Sequence, residues 1–270
     1  MGAHARDGAD LRIAVLGPMA VWRGDAQVEL GSNRLRTVLA VLAMSAGETV
    51  SVDQLALAMW ADDLPANRRR SVQTYIARLR HAFGPASIRT SAVGYRLDVA
   101  PDAVDALRFS RLLSEAALSR GTPAEHALLD QALALWRGGP FDGVDSELLS
   151  GPRASHLVEL RLAAVERWID LGLAEGRHAE MVAEIQLLAA SHPLREPLWG
   201  RLLRTLGRCG RHAEALAMYE RLRRRIAEDL GAGPSSELQR IHLSLLQEPG
   251  GASWRHEDGA GLAGRAAGTA

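Results

Sequence analysis

The segment Asn67–Phe83, NRRRSVQTYIARLRHAF, decides how the rest of the chain is read. Its apolar residues Val72, Tyr75, Ile76, Leu79 and Phe83 are offset by 3, 4, 7 and 11 positions, which at about 100° per residue lines them along one stripe of a helix. Such a stripe needs a core to bury it. On the opposite side lie Arg70, Thr74, Ala77 and His81, flanked by Gln73 and Arg80 on one edge and by Ser71 and Arg78 on the other. No acid interrupts this face. Guanidinium groups hold phosphates and bond bidentately to guanine, a glutamine amide reads adenine, and a small residue such as Ala77 lets backbone and bases approach closely. The spacing therefore predicts a recognition helix for the major groove. Taken alone, the same residues also suit a solvated arginine-rich surface helix, and the neighbouring elements choose between the two.

Upstream, Leu11–Leu30 alternates at Leu11, Ile13 and Val15, breaks at Pro18, and turns at Gly24-Asp25 between Val21-Trp22 and Val28–Leu30, which predicts short antiparallel strands. Ser32 or Asn33 can cap a helix over Arg34–Ser45 that buries Leu35, Val38, Leu39 and Leu42. A second helix follows over Asp53–Trp60 and is stopped by Asp62-Asp63-Leu64-Pro65. Downstream, Gly84-Pro85 forces a turn, and Ile88-Arg89-Thr90 and Tyr95-Arg96-Leu97 flank Ser91–Gly94 as a hairpin. Strands, three helices and a closing hairpin are the plan of a winged helix-turn-helix. Between Gly31 and Leu97 there are nine arginines against four acids, although the whole chain is formally neutral. The positive charge is local, where a nucleic-acid face would need it.

From Asp105 to about Gln247 the pattern becomes almost wholly helical. Gly121-Thr-Pro-Ala-Glu125, Gly176-Arg-His-Ala-Glu180 and Gly210-Arg-His-Ala-Glu214 repeat one signature, the last two 34 residues apart. That is the period of tetratricopeptide repeats, with glycine ending one helix and Ala-Glu opening the next. The first two copies are 55 residues apart, and the Gly/Pro-rich stretch Arg137–Pro152 accounts for the excess as a loop outside the stack. After Gly231–Pro234 a last helix, Glu237–Leu246, caps the array. Residues 1–10 and 248–270 read as a disordered leader and tail.

Composition sets the remaining bounds. All 32 basic residues are arginine, aromatics are only 4%, and apolar residues make up 47%, which suits Ala/Leu-rich helices rather than a β-sandwich. A single cysteine, Cys209, precludes an intrachain disulfide and fits a reducing cytoplasm. No apolar run reaches the ~20 residues of a membrane span, and no signal-peptide core opens the chain, so a cytoplasmic protein with no membrane partner is expected. No phosphate-binding loop, dinucleotide fingerprint, zinc-protease motif or Cys-x-x-Cys is present. We expect no enzyme, no cofactor, no catalytic residue and no metal site. His178 and His212 lie one repeat apart, so they face alike without meeting. Trp136, Trp168 and Trp199 fall on apolar helix faces and read as core.

The stretch from Ser51 to Val99, with Val52-Asp53-Gln54-Leu55, the Trp60–Pro65 junction, Tyr75-Ile76-Ala77-Arg78-Leu79-Arg80 and Gly94-Tyr95, closely resembles the DNA-binding domain of SARP-type antibiotic regulatory proteins. These are a branch of the OmpR-like winged helices, the fold of two-component output domains, and the resemblance covers about residues 11–98. Residues 105–247 are similar to the all-helical bacterial transcriptional activation domain that follows it in that family, through LLDQALALWRG (128–138), LVELRLAAVERWID (157–170) and GRHAEALAMYERLRRRIAEDLGAGPSSELQ (210–239). The resemblance implies that Arg78 and the positions around Gln73 and Ala77 approach bases. It also implies that Ser71 and Arg80 hold phosphates, and that Tyr95 and the wing tip touch the adjacent backbone. Many relatives carry a basic wing residue where this chain has Ser91, and Arg89, on the same strand face, is the substitute. The implied function is a dimeric activator of a secondary-metabolite gene cluster that binds tandem direct repeats near the promoter and contacts RNA polymerase holoenzyme. The rival reading is an adaptor whose repeats hold a peptide and whose winged helix is a protein interface.

Overall fold

The computed structural model describes residues 11–247, so the expected leader and tail lie outside the described residues. The fold is mainly helical. A three-stranded antiparallel sheet comes first, β1 (Leu11–Ala14), β2 (Ala20–Arg23) and β3 (Ala26–Gln27), joined in sequence order. Then come α1 (Asn33–Ala43), β4 (Val50–Ser51), α2 (Val52–Trp60), α3 (Arg68–Phe83), β5 (Ile88–Thr90) and β6 (Gly94–Leu97). This is a winged helix. Its helices start where side chains satisfy free backbone amides: Ser32 accepts from the Leu35 N–H at 3.3 Å, and Asn67 from the Arg70 N–H at 3.1 Å. Ser51 and Gln54 close a reciprocal capping box at the start of α2.

The wing is a second three-stranded sheet in the order β4-β6-β5, with Val50 opposite Tyr95 and Thr90 opposite Tyr95 on its other side. Gly94 is required at the crossing of β4 and β6, because a Cβ there would run into the Val50 carbonyl oxygen. Val38, Leu39 and Leu42 of α1, Leu55 of α2, Val72, Ile76, Leu79 and Phe83 of α3, and Leu97 of β6 form one buried cluster. Truncating Ile76 or Leu79 to Ala would cost about 2–5 kcal/mol, since the removed methyls would leave a cavity.

The helical part comprises α4 (Asp105–Leu118), α5 (Pro123–Leu133), α6 (Ala154–Ala174), α7 (His178–Ser191), α8 (Glu196–Arg208), α9 (His212–Leu230) and α10 (Ser236–Gln247). The three repeat glycines, Gly121, Gly176 and Gly210, have φ of +77°, +82° and +74°, so each turns the chain in the left-handed conformation that ends one helix and admits the next. The chain divides into two compact units at Trp168/Ile169, within α6. In the second, α8 packs on α7, α9 and α10.

The first unit takes in more than the winged helix. Asp105 at the start of α4 accepts the Val15 and Leu16 N–H groups at 2.8 and 3.0 Å. Residues 137–152 leave the helical stack, as their glycines and prolines suggest, but they do not project into solvent. Arg137 N–H donates to the Leu16 carbonyl at 2.8 Å, Phe141 N–H to Val15 at 2.7 Å, and the buried Ser146 hydroxyl to the Ala58 carbonyl of α2 at 2.8 Å. The Asn33 amide oxygen accepts the Asp145 N–H at 3.0 Å. The segment is a strap across the sheet, α1 and α2.

Candidate nucleic-acid interface

The amphipathic pattern of α3 determines what it shows to solvent. With Val72, Ile76, Leu79 and Phe83 buried, Arg69, Arg70, Gln73, Thr74, Ala77, Arg78 and His81 are all exposed on the other side. Among the described residues, Arg69, Arg70 and Arg78 form no ion pair, and the Arg78 guanidinium lies over the Tyr75 ring at 5.9 Å. Tyr75 in turn packs against Trp60, whose ring carries Arg34 at 5.7 Å on another side. The first turn of α3 is anchored separately, by Arg68 Nε donating to Asp53 Oδ1 of α2 at 2.6 Å. Ser71 is half-buried at the edge of the face.

Three of the residues singled out in the sequence are placed differently from the others. Arg80 donates from Nε and Nη2 to the Ile88 carbonyl at 2.9 and 2.7 Å and from Nη2 to Thr90 Oγ1 at 2.8 Å, so it joins α3 to the wing and has only Nη1 left to offer a phosphate. Tyr95 is 5% exposed; strand alternation turns it inward beside Leu97, and its ring lies under the Arg80 guanidinium at 6.0 Å. Arg89 is exposed, but its Nη2 is paired with Asp98 Oδ2 at 2.5 Å, which neutralises much of what it would bring to a phosphate. At the wing tip, Ser91 bonds Gly94 in a tight turn and leaves Val93 68% exposed. Apart from Thr90 and Ser91, the tip offers backbone groups.

Arg69 escaped the helical-wheel reading, although Arg69, Gln73 and Ala77 fall at i, i+4 and i+8 and so share one line on the helix. Thr90 was also missed. Its role depends on a partner ten residues away in sequence, and no local pattern marks that.

A winged helix that presents an acid-free third helix, followed by helical hairpins, defines a regulator of transcription rather than an enzyme. Comparisons with known proteins agree: residues 25–97 match the family described as "Transcriptional regulatory protein, C terminal", and residues 104–246 match "Bacterial transcriptional activator domain". The chain belongs to the SARP family of transcriptional regulators. It is 34% identical to the regulatory protein DnrI of Streptomyces peucetius over 89% of this chain and 94% of that one. It is 37% identical to the regulatory protein AfsR of Streptomyces coelicolor over 91% of this chain, yet spans only 25% of that longer protein. Among solved structures, Mycobacterium tuberculosis EmbR, determined in complex with a low-affinity phosphopeptide, superposes with a TM-score of 0.80 at 30% identity, covering 88% of this chain and 65% of that one.

Proposed function

We propose that this protein is a sequence-specific DNA-binding activator of a secondary-metabolite gene cluster, acting in the cytoplasm at the nucleoid. Residues 11–98 form its DNA-binding domain, and residues 105–247 form the activation domain that supports dimerisation and contacts RNA polymerase. The face of α3 carries the reading: it is positive, exposed, free of acids and backed by a rigid core. Arg78, Gln73 and Ala77 meet base edges in the major groove, with Thr74 and His81 beside them. Arg69, Arg70 and Ser71 take phosphates at the helix start, and Thr90 with the wing-tip backbone takes the next groove. Arg80, Arg89 and Tyr95 shape this surface more than they touch DNA. Two copies on tandem direct repeats place two such helices on one side of the duplex.

Footprinting on the DNA upstream of the neighbouring genes tests the reading. The expected result is protection of two direct repeats near a promoter, with affinity falling steeply as salt rises. In vitro transcription with purified polymerase should then show more transcript from that promoter. Uniform protection without repeats, or binding to a peptide that added DNA and salt leave unchanged, would favour an adaptor instead.

A further inference from the structure

Away from the α3 face, the first compact unit carries a cleft of about 420 Å3 between strand β1 and the α4–α5 hairpin. Trp22 and Leu135 give it an apolar wall, and Arg12, Arg108 and Arg137 stand around it. The two acids at its edge already have partners. Asp102 is bonded by Arg111 Nε at 2.7 Å, and the Asp105 carboxylate is held by the Val15 and Leu16 amides. The arginines are less well satisfied. Arg137 Nη2 is 3.7 Å from Asp105 Oδ2, Arg12 donates to the Gly24 carbonyl at 3.1 Å while lying over the Trp22 ring, and the Arg108 guanidinium has no hydrogen bond or ion pair among the described residues.

We propose that this cleft binds an amphipathic organic anion, a flat apolar body bearing one carboxylate or similar acid group. Its volume falls in the range of small-molecule sites, which pair an apolar wall with a few convergent charged groups. The body lies against Leu135 and the edge of Trp22, and the acid group bridges Arg108 and Arg137, which can bind it by charge-assisted hydrogen bonds. A contrasting cleft on α9 is lined only by Arg221, Arg224, Arg225, Glu228 and Asp229. It has no apolar wall to hold the body of such a molecule. The groove at Asp53, Asn67, Arg69 and Val93 belongs to the DNA face already described. The β1 cleft combines apolar surface with three incompletely satisfied cations, and its occupant would touch both the winged helix and the first helical hairpin.

The test titrates the full chain with 2-naphthoate by calorimetry, with 2-naphthalenemethanol as the uncharged counterpart. Saturable binding of one naphthoate per chain is expected, with the neutral compound at least tenfold weaker. Arg108→Ala should weaken naphthoate about tenfold, the usual effect of removing one charge-assisted contact. Ala134→Trp, at an exposed position at the end of α5, should fill the cleft and abolish binding. Circular dichroism and melting of both variants should match the parent. No saturable binding, equal affinity for the neutral compound, or naphthoate affinity unchanged in both variants would each overturn the proposal. These outcomes do not depend on whether α3 binds DNA.

Discussion

Arg80 of α3 donates twice to the carbonyl oxygen of Ile88, at 2.9 and 2.7 Å, and so ties α3 to β5 of the wing. Replacing it with Ala leaves a half-buried carbonyl without its charged donor, which should cost about 1.5–3 kcal/mol. If Arg80 is first a strut, Arg80→Ala lowers the melting temperature of the winged helix and weakens DNA binding without changing the slope of log affinity against log salt. A slope shallower by about one unit with unchanged stability would instead make it a phosphate contact.

Arg78 and Arg69 should separate in the opposite sense. If Arg78 meets base edges as proposed, Arg78→Ala should cost about 1–3 kcal/mol on the cognate site and relax base preference at one position. Arg69→Ala should weaken all sequences alike and reduce the salt slope by about one unit. Mobility-shift titrations on cognate and scrambled duplexes at several salt concentrations measure both effects. Both variants should keep the parent melting temperature, because both side chains are exposed and unpaired with any acid among the described residues.

The features legible in the sequence were those written in short-range periodicity. The segment Asn67–Phe83, read as one helix from its apolar stripe, matches α3 to within one residue of its observed start, and the repeat glycines mark the helix ends in the helical part. The strap was not legible. Residues 137–152 have no apolar period, and their partners Ala58, Asn33 and Leu16 lie roughly a hundred residues earlier, so no local rule connects them. Tyr95 could have been placed: its i+2 relation to Leu97 puts both on the inner face of β6, and burial there outranks a phenol's use as a backbone contact. Arg80 could not, since the carbonyl it binds belongs to a strand whose position follows only from the assembled core.

Glu125 opens α5 within the first repeat signature and is 1% exposed, with Arg167 Nε and Nη2 bonded to its two oxygens at 2.7 and 2.9 Å. The Arg167 guanidinium, helped by the Gly121 N–H, lowers its pKa to about 2 from an ordinary value of 4.5. A depressed carboxylate pKa contributes stability that is present above pH 4.5 and is lost as pH falls from there towards 2. The contribution is on the order of 3 kcal/mol at most. Chemical unfolding followed by helix signal should show this loss between those limits, and Glu125→Gln should flatten it while lowering stability at neutral pH. An unchanged pH profile in the variant would move the acid sensitivity elsewhere.

Asp105 should behave in the opposite way, although it too is a buried acid at a helix start. Burial raises its pKa, and the amides of Val15 and Leu16, with Arg137 nearby, offset that rise only in part. A group whose folded pKa stands above its unfolded value favours folding most when protonated. Its contribution is complete below the ordinary value of 3.8 and is lost as pH rises through the folded pKa. Asp105→Asn carries no charge at any pH and keeps one acceptor, so it should remove this slope at modest cost. Asp105→Ala leaves two backbone amides just past β1 without an acceptor, and at about 1–3 kcal/mol for each unsatisfied buried group it should be much the worse of the two. Because those amides belong to the β1 end that also meets Arg137 and Phe141, the alanine variant should loosen the sheet and the strap together. Hydrogen exchange at Val15, Leu16, Arg137 and Phe141 should then accelerate in concert. Acceleration confined to Val15 and Leu16 would show that the strap holds without the carboxylate.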